Sequence, residues 1–195
     1  MQPTHQIVLA STSKYRRELL TRLGLPFEVA SPGVDETPLP NEAPQETSRR
    51  LAEAKSRAVA ERFPQAIVIG SDQVAVLDGV PLGKPGNHAN AVRQLIAMRG
   101  KEVVFHTALC LCHAASGRTA TRVVPYYVRF REYSDAQIER YLQREQPYDC
   151  AGSARCEGLG IVLIAEMRGD DPNALIGLPL IALTEMLAEQ GVSVL

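Results

Sequence analysis

The chain has 195 residues, of which 45% are hydrophobic, and its 21 basic and 22 acidic side chains leave a formal net charge of −1. This near-neutral charge excludes the broad basic surface that nucleic acid or an anionic membrane requires, so we expect neither as a partner. No apolar stretch is long enough to span a bilayer and no secretory leader opens the chain, which predicts a cytoplasmic protein. The length favours a single domain over residues 1–195, with room for two lobes.

Apolar runs and turn residues predict the elements of the chain in order. A buried strand is predicted at residues 6–10, followed by a helix that Gly24 ends. Further strands are predicted at residues 27–31, 66–70, 74–77, 80–85, 102–113, 122–131 and 161–165, and further helices at residues 44–63, 87–99, 134–145 and 178–190. Helices and strands alternate first and strands dominate the middle, which predicts an α/β fold with a mixed, bent central sheet flanked by helices.

The junction between the first strand and the first helix predicts an anion site. Ser11, Thr12 and Ser13 lie at the helix N-terminus, and Arg16 and Arg17 follow in its first turn. Hydroxyl groups, free backbone N–H groups, the positive end of the helix dipole and two guanidinium groups would converge there on a phosphate or a carboxylate. The alternative is a plain N-cap serine followed by surface arginines.

A second candidate site is the segment of residues 70–73, which we expect at the carboxyl end of a buried strand, where open α/β sheets bind their ligands. Asp72 is its central residue, because a carboxylate there holds a divalent cation or accepts a proton from water. The alternative is that Asp72 only forms a turn. Glu36, in an acidic loop, is predicted as a second metal-binding carboxylate, with an ordinary solvated side chain as the alternative.

Two glycine-containing segments fail as nucleotide-binding motifs. In residues 79–85 the glycine spacing is one residue too short for a phosphate-binding loop, and Pro85 follows the lysine. Lys84 is therefore interpreted as a point charge at a strand end, with an ordinary loop lysine as the alternative. Residues 157–160 lack the third glycine and the preceding strand of a dinucleotide fingerprint, so no nicotinamide or flavin cofactor is expected.

Taken together in their order and spacing, these segments resemble the Maf family of nucleoside triphosphate pyrophosphatases. The matching positions are residues 11–13, 16–20, 35–37, 55, 70–72, 82–85, 152, 158–160 and 177–180. The resemblance implies a two-lobed α/β fold with the active site in a cleft, and hydrolysis of a nucleoside triphosphate to a monophosphate and pyrophosphate. It also implies a divalent metal ion, such as Mg²⁺, Mn²⁺ or Co²⁺, and a homodimer.

Carried onto this chain residue by residue, the family pattern makes Asp72 the proton acceptor. It places the following residues around the triphosphate and the metal: Ser11, Ser13, Arg16, Lys55 and Lys84 at the phosphates, and Glu36 with Asp72 at the metal. The reaction needs such a set, because cations neutralise the polyphosphate, a metal bridges its oxygens and a base orients water in line.

Within the family, Tyr15, Gln73 and Glu157 resemble the subgroup that acts on 7-methyl-GTP, and Cys150 replaces a lysine of the common pattern. The cationic N7-methylguanine base gains cation–π attraction from a tyrosine ring, and a glutamate accepts from the N1–H and N2–H₂ donors that thymine and uracil lack. Outside the family frame, Tyr15 and Glu157 are ordinary surface residues. The functional alternatives are a dTTP or UTP pyrophosphatase of the same family and a non-catalytic nucleotide-binding regulator of cell division.

Overall fold

The computed structural model describes residues 6–195, so the first five residues of the predicted domain lie outside the described residues. The strands of this part of the chain form one sheet: β1 (Gln6–Ala10), β2 (Glu28–Ala30), β3 (Ala66–Leu77), β4 (Val80–Leu82), β5 (Glu102–His113), β6 (Arg118–Phe130) and β7 (Ile164–Arg168). Its helices are α1 (Lys14–Thr21), α2 (Pro44–Ala60), α3 (His88–Met98), α4 (Asp135–Glu145), α5 (Pro172–Ile176) and α6 (Leu180–Glu189). None of these helices has the length and apolar character needed to cross a membrane.

The sheet is parallel at one end and antiparallel at the other. Its strand order is β2-β1-β3-β5-β6-β7, and β4 pairs with β3 beyond the end of β1. β1 pairs in parallel with β2 and β3, whereas β3, β5, β6 and β7 pair antiparallel with one another in turn. Helices pack against this sheet, so the predicted mixed α/β fold is confirmed.

The structure corrects the prediction that residues 70–73 lie at the end of a strand. β3 runs through them without a break, because β5 pairs with it over that whole stretch. On its other side, β1 pairs with β3 only as far as Gly70, and β4 begins to pair only at Ala75. No strand of the described chain pairs with that side of β3 over residues 71–74. We call this interval the sheet gap, and Asp72 lies in it.

Gly70 brings α2 against β3. A Cβ atom at this position would lie 2.2 Å from the backbone oxygen of Ala52 and 2.9 Å from the Cβ atom of Ser56. Glycine is required here, because these distances lie far inside van der Waals contact. The close approach brings Lys55 of α2 to Asp72 of β3, with its ammonium nitrogen 2.6 Å from a carboxylate oxygen.

Apolar side chains on the opposite face of β3 form two clusters, one at each end of the strand. At the first end, Ile67 and Ile69 pack with Leu19 of α1 and with the apolar residues of α6. At the second end, Ala75 and Leu77 pack with apolar residues of α3 and α4. The sheet gap lies between the two clusters, so both ends of the strand that carries Asp72 are anchored in the core.

Asp171 caps two helices at once. It is only 2% exposed, and its Oδ1 atom accepts the backbone N–H of Asn173 in α5 at 3.0 Å. Its Oδ2 atom accepts the N–H groups of Ile181 and Ala182 in α6, at 2.6 and 3.4 Å. Pro179, at the N-cap position of α6, provides no side-chain cap of its own. One buried carboxylate therefore satisfies the first turns of both helices and fixes α5 against α6.

The last strand begins at Ile164, later than its apolar run predicts. The preceding segment, Leu159–Leu163, forms a 3₁₀ turn in which Ile161 and Val162 are 46% and 54% exposed. Of the predicted strand at residues 161–165, only Leu163 and Ile164 are buried, and they join the cluster of α3 and α4. The apolar run is therefore a half-exposed turn that leads into a strand, and periodicity alone does not distinguish it from a buried strand.

We expect Gly70→Ala to destabilise the protein, because the added methyl group has no space against α2. Overpacking of this kind costs about 1–3 kcal/mol, so the free energy of unfolding in urea should fall by at least that amount. Gly83→Ala is the matched control, since no atom lies within 4 Å of a Cβ atom at that position. Equal unfolding free energies for the two variants would contradict the close packing of α2 on β3.

Candidate active site

A cleft of about 710 Å³ opens at the sheet gap. Its walls come from the end of β1, the first turn of α1, part of the loop after β2, α2, the end of β4 and residues 149–157. Ten of the site residues predicted from the sequence line this cleft: Ser11, Ser13, Tyr15, Arg16, Glu36, Lys55, Asp72, Gln73, Lys84 and Glu157. Arg17, the second arginine of the predicted anion site, is exposed and is not among the lining residues.

Lys55 lies between two carboxylates in the cleft. Its Nζ atom is 2.6 Å from Oδ1 of Asp72 and 2.8 Å from Oε1 of Glu36. Lys55 and Asp72 are buried, whereas Glu36 reaches them from an exposed loop. The desolvation of a buried ion pair offsets most of its attraction, so folding stability is a weak reason to retain one. Its position in a cleft favours a functional role.

The two carboxylates differ in basicity. Burial raises the pKa of the Asp72 carboxyl group, and although the positive charges of Lys55 and Arg16 oppose this shift, they do not reverse it. Burial also raises the pKa of Glu36, but the hydrogen bond from Lys55 and the charges of Lys55, Lys84 and Arg16 outweigh that effect and lower it. Asp72 is therefore the stronger base of the two.

The first turn of α1 holds Arg16 in the cleft. The Ser13 hydroxyl caps the helix by accepting the backbone N–H of Arg16 at 3.4 Å, and the Ser11 hydroxyl accepts the N–H of Ser13 at 3.1 Å. The Nε–H group of Arg16 donates to the Gly177 carbonyl oxygen at 2.8 Å, and its Nη1 atom lies 3.5 Å from Oγ of Ser11. Burial lowers the pKa of Arg16, while neighbouring carboxylates act against that shift. One edge of the guanidinium group is thus fixed by the protein.

Lys84 follows β4, on the opposite side of the sheet gap from α1. Its side chain is exposed, and its charge contributes to the lowered pKa of Glu36. The side-chain amide of Gln94 donates to the Gly83 carbonyl oxygen at 2.9 Å and so holds the loop before Lys84 against α3. Cationic side chains therefore face the sheet gap from both sides, with Arg16 on one and Lys84 on the other.

Polar residues of β3 hold α5 beside the sheet gap. The Ser71 hydroxyl donates to the Gly177 carbonyl oxygen at 2.9 Å. The Gln73 side-chain amide donates to the carbonyl oxygens of Ala174 and Leu175, at 2.8 and 3.0 Å. Gln73, which the sequence predicts as a specificity residue, thus positions α5, and its contact with a substrate stays a prediction.

At the other end of the cleft, polar and charged side chains surround Tyr15. The Cys150 thiol donates to the Tyr15 hydroxyl oxygen at 3.8 Å, and the guanidinium carbon of Arg155 lies 5.3 Å from the centre of the Tyr15 ring. Nε of Arg155 is 3.4 Å from Oε1 of Glu157. Burial, with the charge of Asp149, raises the pKa of Cys150 to about 12, so its thiol stays protonated at neutral pH. Tyr15 and Glu157, both predicted to contact the base, are linked through Arg155.

Sequence reasoning missed Arg155 and Glu145. Nη1 of Arg155 is 2.7 Å from Oε1 of Glu145, whose side chain is only 13% exposed. Two glycines carry the only signal of this pair in the sequence. A Cβ atom at Gly158 would lie 2.6 Å from Oε1 of Glu145, and one at Gly160 would lie 2.5 Å from the carbonyl oxygen of Arg155. Gly160 is therefore required by the backbone of Arg155, whereas Gly158 lies against the end of the Glu145 side chain.

The donor set of the cleft fits a divalent cation that takes part of its coordination from a substrate. In residues 6–195, no group of three or more His, Cys, Asp or Glu side chains converges to hold a metal. The cleft instead presents the carboxylates of Glu36 and Asp72, which share Nζ of Lys55 as a neighbour. Mg²⁺ is commonly bound through one or two carboxylates together with substrate phosphates and water.

The amino-acid sequence was also compared with those of known proteins. The family model described as "Maf-like protein" matches residues 6–190. A curated relative named "7-methyl-GTP pyrophosphatase" from Methylobacillus flagellatus is 64% identical over 189 residues, which cover 97% of this chain and 98% of the relative. A relative of the same name from Nitrosospira multiformis is 59% identical over 193 residues, which cover 99% of this chain and 98% of the relative. Among solved structures, a HAM1 protein from Coxiella burnetii has a TM-score of 0.45 and 14% identity, with 65% of this chain and 73% of that chain covered.

We expect Asp72→Asn to change how stability depends on pH. Because the pKa of Asp72 is raised, the folded protein binds this proton more tightly than the unfolded chain does, and that stabilisation is lost as the pH rises above the ordinary value of 3.8. The free energy of unfolding of the wild type should therefore fall relative to that of the variant as the pH rises from about 4 toward the raised pKa of Asp72, by up to about 1.4 kcal/mol per pH unit.

Urea titrations of both proteins across this range measure the difference. Asp78→Asn is the control, because Asp78 lies in the exposed turn after β3, paired with Lys101. A wild type that gains stability relative to Asp72→Asn as the pH rises would contradict the raised pKa.

Proposed function

The chain belongs to the Maf-like protein family, and from this premise we propose that it is a nucleoside triphosphate pyrophosphatase that hydrolyses 7-methyl-GTP to 7-methyl-GMP and diphosphate. The observation that carries the proposal is the sheet gap, where the buried base Asp72 lies in one cleft with Arg16, Lys55 and Lys84. The relatives named 7-methyl-GTP pyrophosphatase, similar over nearly their full length, support the same activity here.

The triphosphate binds between the two sides of the sheet gap. Arg16 approaches it from the start of α1 and Lys84 from the end of β4, while Lys55 lies between them beside Asp72. The backbone N–H groups and the positive dipole end of α1 add to these charges, together with the hydroxyl groups of Ser11 and Ser13. These groups neutralise the polyphosphate and orient the bond between its α and β phosphates.

A divalent cation is part of the proposal. Glu36 and Asp72 would hold it together with phosphate oxygens, since both carboxylates already approach one positively charged atom, Nζ of Lys55. Such a cation would supply Lewis-acid chemistry, by polarising the phosphate oxygens of the substrate. Mg²⁺, Mn²⁺ and Co²⁺ all accept such oxygen ligands, and the donor set does not select among them.

Asp72 accepts the proton of the attacking water. Its raised pKa makes it a better base than an ordinary aspartate, and its burial keeps bulk water away from the reacting group. Lys55 donates to Oδ1 and so fixes the plane of the carboxylate.

The base binds at the Tyr15 end of the cleft. A purine stacked on Tyr15 brings its N1–H and N2–H₂ edge toward Glu157, which accepts from both donors. The positive charge of the methylated base adds a cation–π attraction to Tyr15 and a Coulomb attraction to Glu157. Cys150, which replaces a lysine of the common family pattern, leaves no additional positive charge beside this base.

The alternatives have less support. Thymine and uracil lack the paired donors that Glu157 would accept, which disfavours a dTTP or UTP pyrophosphatase. A binding-only regulator has no use for a buried carboxylate with a raised pKa in the cleft. The homodimer implied by the family resemblance remains a prediction.

We expect Asp72→Asn to abolish turnover, because an asparagine cannot accept the proton of water. The rate of pyrophosphate release from 7-methyl-GTP with Mg²⁺ or Mn²⁺ should fall by about 10²–10⁴-fold. Asp78→Asn is the matched control and should retain the wild-type rate. If Asp72→Asn retained the wild-type rate, the role of Asp72 as the base would be refuted. If the wild type released no pyrophosphate from any triphosphate, the enzymatic function itself would be refuted.

We expect Glu157→Gln to reduce selectivity for the methylated base. The variant replaces a charged acceptor with a neutral side chain, so the kcat/KM for 7-methyl-GTP should fall by about tenfold, the magnitude of one charge-assisted hydrogen bond. Rates on dTTP and UTP should change much less, and Glu166→Gln, on β7 outside the cleft, is the control. An equal loss on all substrates would show that Glu157 does not contact the base.

A further inference from the structure

Arg155 occupies a position between the groups that the proposed function assigns to the base. Its guanidinium group lies over the Tyr15 ring and beside Glu157, and all three residues line the cleft. A base stacked on that face of Tyr15 and hydrogen-bonded to Glu157 requires the same space. The arginine therefore makes, within the protein, the two contacts that a cationic base would make.

We propose that Arg155 is a specificity-determining residue, a placeholder that the cationic base displaces from Tyr15 and Glu157 and that Glu145 then retains. This inference rests on the proposed function, because it assumes a positively charged base at Tyr15. Beyond the proposed function, the inference names the pair Arg155 and Glu145 as the residues that set the preference for a positively charged base over an uncharged one.

Glu145 is the carboxylate that is better placed to hold the Arg155 guanidinium group. The N–O distance from Arg155 is 2.7 Å to Glu145 and 3.4 Å to Glu157. The Glu145 side chain is also the more buried of the two, with 13% exposed against 29% for Glu157. Oε2 of Glu145 also accepts the backbone N–H of Leu159 at 2.9 Å, which fixes the carboxylate. A displaced Arg155 thus keeps a counter-ion, so leaving Tyr15 does not strand a buried charge.

The backbone of Arg155 is fixed while its side chain exchanges partners. Its N–H group donates to the Tyr141 hydroxyl oxygen at 3.1 Å, and its carbonyl oxygen accepts the N–H of Gly158 at 3.1 Å. Tyr141 is buried, so this anchor belongs to the core of α4. The exchange therefore requires rotation of one side chain and leaves the loop in place.

The charges around Tyr15 and Arg155 determine which base is favoured. The charged side chains in this surrounding are Lys14, Glu145, Asp149, Arg155 and Glu157. Two are positive and three are negative, which leaves one negative charge without a counter-ion, while the neighbouring thiol of Cys150 stays protonated. A base with one positive charge completes the balance and an uncharged guanine does not, so the site favours the methylated form.

The test compares the kcat/KM for 7-methyl-GTP with that for GTP, at one pH and one Mg²⁺ concentration, measured by pyrophosphate release. Arg155→Gln leaves a further negative charge and should raise this ratio by about two- to fivefold, the range of a partly exposed ion pair. Glu145→Gln removes the counter-ion that retains Arg155 and should lower the ratio by a similar factor.

The double variant Glu145→Gln/Arg155→Gln separates this role from a structural one. The double variant removes one positive and one negative charge, so the net charge around Tyr15 is the same as in the wild type. Its ratio of kcat/KM for 7-methyl-GTP to that for GTP should therefore return to the wild-type value. Its KM should fall for both substrates, because no side chain has to be displaced. In Arg155→Gln the buried Glu145 carboxylate loses its counter-ion, which could prevent folding. The double variant has no such unpaired carboxylate, so its KM values still test the proposal. Damage to folding alone would lower both rates together and leave the ratio unchanged.

The two hypotheses fail in different ways. A wild type that releases no pyrophosphate from 7-methyl-GTP overturns the proposed function and the role of Arg155 with it. A wild type that hydrolyses 7-methyl-GTP, with the same ratio in all three variants, overturns the role of Arg155 alone. A ratio that falls in Arg155→Gln also overturns it, because Arg155 would then assist base binding directly.

Discussion

The candidate site depends on one interruption of strand pairing. β1 leaves β3 at Gly70 and β4 joins it at Ala75, so a strand that is paired on both sides elsewhere has one unpaired side over residues 71–74. Because β5 pairs with β3 throughout, the open side stays rigid and does not fray. The two segments that border the opening supply Arg16 and Lys84, and α2 supplies Lys55. The end of the cleft at the sheet gap, which we propose binds the phosphates and call the phosphate end, is thus defined by where two short strands stop.

The cleft has opposite charge at its two ends. At the sheet gap, the three cations Arg16, Lys55 and Lys84 exceed the carboxylates of Glu36 and Asp72 by one positive charge. Around Tyr15, one negative charge is in excess. A substrate with a cationic base and an anionic triphosphate matches this arrangement in one orientation only. Charge therefore specifies both the class of substrate and the direction in which it binds.

The sequence predicted most of the phosphate end, because its residues lie in short segments that combine strand, cap and charge signals, as around Ser13 and Arg16. It misplaced Asp72 at a strand end, since an apolar run does not show which neighbour pairs with which side of a strand. Arg155 and Glu145 were missed for a different reason. Gly158 lies against the Glu145 side chain and Gly160 against the backbone of Arg155, but a glycine in a sequence indicates conformational freedom without naming the group that comes near.

The shared cap at Asp171 links the phosphate end of the cleft to the C-terminal part of the core. The carbonyl oxygen that holds Arg16 and Ser71 belongs to Gly177, which lies between the two helices capped by this one carboxylate. α6 packs in the same cluster as β1 and α1. The Gly177 carbonyl oxygen that positions Arg16 is therefore held in place by the contacts of α6, so the C-terminal helix supports the sheet gap although it lies outside the cleft.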